Sequence, residues 1–244
     1  MASNITTQNV DYKSGATHLK GFLAWDGASG GKRPGVIVVH EWWGLTDYPR
    51  RRASMLAELG YVGMAVDMYG DGSVGADPAA AGALMQAAMS DPKALEARFE
   101  AAADLLRGQP QVDPNRIAAI GYCFGGAVCL HMARIGMNLA GVVSFHGALG
   151  SMHKPARGGV KARVLVCHGA ADSLVPDDQV AAFKQEMDEA GAKYKFVPYA
   201  GALHGFSNPE ADDNAKKYGM PLGYDAAVDQ RSWDEMQAFF KEIF

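Results

Sequence analysis

The chain has 244 residues, 48% of them hydrophobic and 20% charged, with a formal net charge of −4. This composition is close to the globular average, which argues against a disordered or fibrous chain. With a small negative balance and no basic stripe, nucleic acid is not an expected partner. The segment Met1 to Lys13 is polar, so neither a signal peptide nor a membrane anchor is expected. No apolar run approaches the ~20 residues of a membrane helix. The three cysteines, at 123, 129 and 167, are odd in number and lack metal-ligand spacing. No disulfide framework and no metal are therefore expected, and a reducing cytoplasm is the expected location.

In chain order, the signals of strand and helix alternate, which predicts an α/β fold: a mostly parallel central sheet with helices on both faces, built as a single domain over residues 1–244. The part up to Trp25 reads as an edge hairpin broken at Ser14-Gly15. Gly35 to His40 is apolar and β-branched, the signature of a buried parallel strand. A helix follows, with Asp47 as its expected cap, Ala53, Leu56, Ala57 and Leu59 on its apolar face, and Gly60 as its stop. Tyr61 to Asp67 reads as the next strand, and Pro78 to Arg107 as helix split at Asp91-Pro92. Arg116 to Tyr122 is a strand that runs into Cys123, and Gly125 to Ile135 is the helix behind it. Further strands are expected at Leu139–Phe145, Ala162–Cys167 and Lys193–Tyr199, and helices at Asp177–Ala190 and Asp225–Phe244. The polar stretch Ser207 to Gly223, interrupted by Gly and Pro, reads as a loop or lid.

Gly121-Tyr122-Cys123-Phe124-Gly125-Gly126 stands between a strand and a helix. That is the setting of a nucleophile elbow, where small residues two before and two after the nucleophile let strand and helix approach closely. The turn sets Cys123 at a helix N-terminus, where N–H groups and the helix dipole favour a thiolate. The plainer alternative is a buried cysteine beside a Gly-rich turn. Cys129, on the same helix, and Cys167, at the end of an apolar strand, are expected to be core residues.

The order nucleophile, acid, base continues after Cys123. Asp172 lies in His168-Gly169-Ala170-Ala171-Asp172-Ser173-Leu174-Val175-Pro176, just beyond a strand, where an orienting carboxylate belongs. Asp177 and Asp178 suit the first turn of the following helix. His204, in Gly201-Ala202-Leu203-His204-Gly205-Phe206, follows the last expected strand and is the candidate base. His18, His40, His131, His146 and His153 are read as structural or rim residues, and His168 as shaping the acid loop.

His40-Glu41-Trp42-Trp43-Gly44, the cysteine elbow, the 168–176 loop and His204-Gly205-Phe206 together resemble the dienelactone hydrolase (carboxymethylenebutenolidase) family over nearly the whole chain. The resemblance implies an ester or lactone hydrolase with a Cys123-His204-Asp172 triad, a thioester acyl-enzyme and no cofactor. It implies that Glu41 contacts the resting thiol and accepts its proton as substrate binds. It also implies an oxyanion hole from the backbone N–H of Phe124 and of Trp42, with Trp43 and Phe206 toward the substrate. One departure bears on substrate choice. The family grips a substrate carboxylate with two arginines, but Asn208 occupies one of these positions, followed by Glu210, Asp212 and Asp213. From Asp71 to Ala97 the only basic residue is Lys93. The expected partner is therefore a neutral ester or lactone rather than dienelactone, unless Lys93 or Arg98 reaches the pocket. The alternatives are a carboxymethylenebutenolidase proper with a substituted clamp and a non-catalytic binding protein on the same fold. A glutamine amidotransferase-like enzyme is disfavoured, because the position two after His204 is Phe206 and the acid precedes the histidine.

Overall fold

A computed structural model describes residues 4–28 and 30–244. The chain forms two compact units, residues 1–119 and residues 120–244. Its elements run β1 (Ile5–Ser14), β2 (Thr17–Asp26), β3 (Arg33–Val39), α1 (Asp47–Glu58), β4 (Val62–Val66), α2 (Pro78–Ser90), α3 (Pro92–Arg107), β5 (Val112–Tyr122), α4 (Phe124–Arg134), β6 (Gly141–Phe145), β7 (Arg163–Gly169), α5 (Asp177–Ala190), β8 (Tyr194–Tyr199), α6 (Ala211–Tyr218) and α7 (Ala226–Ile243). The eight strands lie in one sheet in the order β1-β2-β4-β3-β5-β6-β7-β8.

In the first unit β1 and β2 form the expected antiparallel hairpin, and β2 pairs antiparallel with β4. Strands β3 and β4 are parallel, in the register Gly35↔Val62 to Val39↔Val66. Every residue of β4 is buried, as the continuous apolar run requires of a strand covered on both faces. Helix α1 lies against this part of the sheet at close range. A Cβ at Gly63 would come within 2.4 Å of the Ala53 carbonyl oxygen, so glycine is what lets α1 approach β4. The N-cap of α1 is Thr46 rather than Asp47. Asp47 sits instead in the first turn, where its charge suits the helix dipole. The split at Asp91-Pro92 is as expected: Asp91 ends α2 and caps α3, its side chain accepting from the Ala94 N–H at 3.0 Å.

In the second unit β6, β7 and β8 are parallel neighbours, so their C-terminal ends lie on one edge. Every residue of β6 is buried. Helix α4 is buried along its whole length. Its far end is pinned by Arg134, a guanidinium with almost no exposed surface. The guanidinium donates to Glu186 at 2.7 and 3.1 Å and to the Leu149 carbonyl at 2.7 Å, and it lies over the Phe183 ring. The stretch 207–223, expected as loop, contains the short helix α6. Asp212 and Asp213 lie in its first turn, Lys216 and Lys217 in its last, and Gly219 closes it in the left-handed conformation. That charge order follows the helix dipole and stabilises a turn too short to carry an apolar periodicity. Among the described residues, no helix is long and apolar enough to cross a membrane.

The Arg134–Glu186 pair generates a stability prediction. Glu186→Ala leaves a buried guanidinium without its carboxylate, and breaking a buried pair in this way costs about 3 kcal/mol or more. Urea denaturation of the variant should show a clearly lower midpoint at unchanged slope. A midpoint equal to that of the wild type would mean that the carbonyls of Leu149 and Gly150, at 2.7 and 3.3 Å from the guanidinium, suffice.

Candidate active site

The elbow is built by close backbone packing. Cys123 stands at φ 53° and ψ −114° as the N-cap of α4, a conformation rare for any residue but glycine. Its N–H donates to the Phe145 carbonyl at 3.0 Å, and its carbonyl accepts from Ala127 at 3.2 Å. A Cβ at Gly121 would fall 2.0 Å from the Gly125 carbonyl oxygen, and one at Gly126 would fall 2.5 Å from Ser144 Oγ. The two glycines therefore leave room for strand, turn and helix to fold back on one another. Phe124 opens α4, so its N–H belongs to the first turn, where amides point off the helix end.

Two loops bring Asp172 and His204 together. Ala170 N–H donates to the Tyr199 carbonyl at 2.9 Å and Ala171 N–H to the Ala202 carbonyl at 3.0 Å. These bonds tie the loop after β7 to the loop after β8. Asp172 Oδ1 accepts from the Leu174 N–H at 2.9 Å, and Oδ2 accepts from His204 Nδ1 at 2.8 Å. Both side chains are almost wholly buried. His204 is itself fixed by its backbone, which bridges to Leu222 and accepts from Gly223 N–H at 3.1 Å.

Burial alone would push the His204 imidazole down. The coulombic interaction with Cys123, the hydrogen bond to Asp172 and the hydrogen bond with Cys123 outweigh it, and the pKa is pushed up to about 10. The imidazole is thus bonded to a carboxylate on one side and to the sulfur on the other. That arrangement favours the protonated imidazole beside the sulfur, a configuration suited to nucleophilic attack by sulfur followed by proton donation to a leaving group.

Cys123 is partly exposed, whereas Cys129 and Cys167 are buried. Burial drives the thiols of Cys129 and Cys167 well up, so neither is a nucleophile near neutrality. Phe206, expected toward the substrate, has no exposed surface. It packs under the His204 loop with its ring 5.0 Å from His146 and 5.6 Å from Tyr199, a supporting position rather than a lining one. His146, read as structural or rim, lies directly against His204, the two ring centroids being 5.2 Å apart. Its position immediately after β6, on the edge where the acid and base loops leave β7 and β8, was the signal for it.

In the first unit, Glu41 lies two residues beyond β3 and is nearly buried. The preceding His40 bonds the Glu41 carbonyl through Nδ1 and accepts the Met68 N–H on Nε2 at 3.2 Å. Burial holds this imidazole down at about 4, so it stays neutral and serves as a fixed bracket for the turn. Trp42 and Trp43 are half-buried, their rings 4.9 Å apart, and the Trp42 carbonyl accepts from the Tyr69 hydroxyl at 2.8 Å. Among the described residues, no cluster of His, Cys, Asp or Glu could hold a metal ion.

A mostly parallel sheet flanked by helices, with a strained cysteine turn between strand and helix and a buried Asp–His pair on the loops beyond its strands, defines an α/β-hydrolase. A sequence profile of the dienelactone hydrolase family matches residues 19–244. The chain belongs to that family and is an ester hydrolase of its class. Among solved structures it is similar to the protein titled m3DLH, at 40% identity and a TM-score of 0.92, with 98% of this chain and 99% of that one covered. It is also similar to the dienelactone hydrolase-like promiscuous phosphotriesterase P91 from metagenomic libraries, at 39% identity and a TM-score of 0.90, with the same coverage. Among curated proteins it is 28% identical to Protein usf of Aquifex pyrophilus over 96% of this chain and 98% of that one.

The burial difference among the thiols leads to a labelling prediction. Brief iodoacetamide treatment followed by peptide mapping should place the modification on Cys123 and leave Cys129 and Cys167 untouched until the protein is denatured. Early modification of either buried cysteine would contradict the assignment of Cys123 as the reactive thiol.

Proposed function

We propose that the protein hydrolyses neutral carboxylic esters or lactones through Cys123, His204 and Asp172. The observation that carries this reading is the placement of the His204 imidazole, bonded by Nδ1 to Asp172 at 2.8 Å and charge-coupled to Cys123. In the mechanism, Cys123 sulfur attacks the carbonyl carbon and the π electrons move to oxygen. The N–H of Phe124 and, from family membership, that of Trp42 stabilise the oxyanion. Collapse expels the alkoxide, which takes its proton from His204, and a thioester remains on Cys123. Water then attacks the thioester as His204 accepts its proton, and sulfur leaves. Asp172 keeps the imidazole in one tautomer and offsets its positive charge throughout. Glu41, again from family membership, holds the resting thiol and accepts its proton as substrate binds. No step calls for a cofactor.

The neutrality of the substrate is supported by the fate of the available cations. Lys93 is highly exposed and pairs with Glu96 at 2.7 Å. Arg98 is committed to the Met68 carbonyl at 2.8 Å. Asn208 is buried, its side chain accepting the Glu210 N–H at 2.9 Å. Exposed carboxylates at Glu210, Asp212 and Asp213 follow it and disfavour an anion. Arginine binds carboxylates through a planar paired donor, and a charged hydrogen bond is worth roughly 1.5–3 kcal/mol. Losing one therefore removes about 10- to 100-fold in affinity. A second reading, phosphotriester hydrolysis by attack of the same sulfur on phosphorus, is favoured by the 39% identity to P91.

Substitution tests the machinery. Cys123→Ala and His204→Gln should each reduce aryl acetate hydrolysis at least about a thousandfold. Glu41→Gln should keep the fold and alter the pH dependence of thiol alkylation. Rapid quench with mass spectrometry should trap one acyl group on the Cys123 peptide, and near-wild-type turnover by Cys123→Ala would refute the mechanism. Substrate charge is tested separately, by kcat/KM for dienelactone against neutral aryl esters at several salt concentrations, with an aryl phosphotriester alongside. The neutral esters should be preferred at every salt concentration. A preference for dienelactone that fades with salt would reveal a carboxylate clamp, and a preference for the phosphotriester would favour the second reading.

A further inference from the structure

Three described non-glycine residues have positive φ: Asp71 at 54°, Cys123 at 53° and His146 at 41°. Strained conformations of this kind cost about 1–3 kcal/mol and persist where the surroundings over-determine them. His146 has no exposed surface and directly follows β6. Its N–H donates to the Cys167 carbonyl at 2.9 Å, and its Nε2 shares a hydrogen bond with Ser207 Oγ at 2.8 Å. Its ring meets the His204 ring at 5.2 Å between centroids, tilted by 65°. The residue before it, Phe145, accepts the Cys123 N–H. Two consecutive residues at the end of β6 thus touch the backbone of the nucleophile and the ring of the base.

The covalent link at Cγ and the hydrogen bond at Nδ1 hold one side of the His204 ring, but they constrain its tilt only weakly. A swing of the ring plane would carry its other nitrogen off the sulfur. Packing must supply the second constraint, and His146 is the ring packed there. A purely structural role at this position needs no polar ring, since an apolar residue would fill a fully buried site without requiring a hydrogen-bond partner. Ser207, three residues beyond His204 and itself fully buried, holds the His146 ring by its edge. We propose that His146, anchored by Ser207, is a positioning residue that fixes the plane of the His204 imidazole between Asp172 and Cys123. This rests on the assignment of those three residues as the reacting group.

Two variants test it together. His146→Asn tolerates positive φ and retains a polar partner for Ser207, but lacks the ring. Ser207→Ala keeps the ring and removes its anchor. His146→Asn should lower kcat about 10- to 100-fold, the cost of small misplacements of reacting groups, with KM little changed and the pH profile of kcat/KM shifted. Ser207→Ala should move both quantities in the same direction by less, and should add nothing in the His146→Asn background, because the two act through one contact. Thermal denaturation accompanies each assay. A folded His146→Asn with wild-type kcat and pH profile overturns the proposal. So does a loss that follows only the fraction folded, or two losses that simply multiply in the double variant. If His146→Asn does not fold, Ser207→Ala alone decides, and an unchanged kcat and pH profile overturns the proposal. Cys123→Ala, run in parallel, separates the two levels. An inactive Cys123→Ala beside an unaffected His146→Asn removes only the positioning role, whereas an active Cys123→Ala removes the triad beneath it.

Discussion

Much of the second unit depends on one backbone conformation, that of Cys123. Its φ of 53° is unfavourable for a residue with a Cβ, and the neighbouring atoms hold it there. The Cys123 N–H is fixed to the end of β6, α4 begins at once behind it, and Gly121 and Gly126 leave room where any side chain would collide with Gly125 or Ser144. Helix α4 in turn cannot slide, because Arg134 at its other end is bound to Glu186 and to two carbonyls. The strain at Cys123 is thus supported from both ends of a fully buried helix.

The electrostatic counterpart is the His204 imidazole. A buried imidazolium is unfavourable in isolation, as the downward push from burial at the same ring shows. It is favoured here because the Asp172 carboxylate and the Cys123 sulfur flank it, and those groups come from different loops. The loop-to-loop bonds at Ala170 and Ala171 are therefore as much a part of the chemistry as the side chains, since they set the distance between Asp172 and His204. His40 illustrates the opposite outcome. It is equally buried, and there burial outweighs the bond to the Glu41 carbonyl and the charge of Asp67, so it stays neutral and acts as a hydrogen-bond bracket.

Legibility in the sequence followed how local each signal was. The buried parallel strands were readable from apolar runs such as Val36 to Val39, the tight turn at Cys123 from its glycines, and Asp172 and His204 as a candidate pair from their order beyond strands. Helix α6 was not, because its eight residues carry charge order rather than apolar periodicity. The cap of α1 was displaced by one residue, since Thr46 and Asp47 are both acceptable there and the packing of the turn decides between them.

The sequence by itself determined the fold class, the family and the identity of the three candidate reacting residues, because each is encoded in a short stretch whose backbone demands are local. Only the tertiary structure decided what surrounds them. Phe206 became a buried support, and His146, read as structural or rim, proved to be buried in direct contact with His204. It also showed Lys93 paired in solvent and Arg98 occupied by a carbonyl. These outcomes depend on pairs far apart in the chain, such as His146 with Ser207 and Arg98 with Met68. No periodicity or spacing in the sequence encodes which side chains meet once strands and loops are packed together.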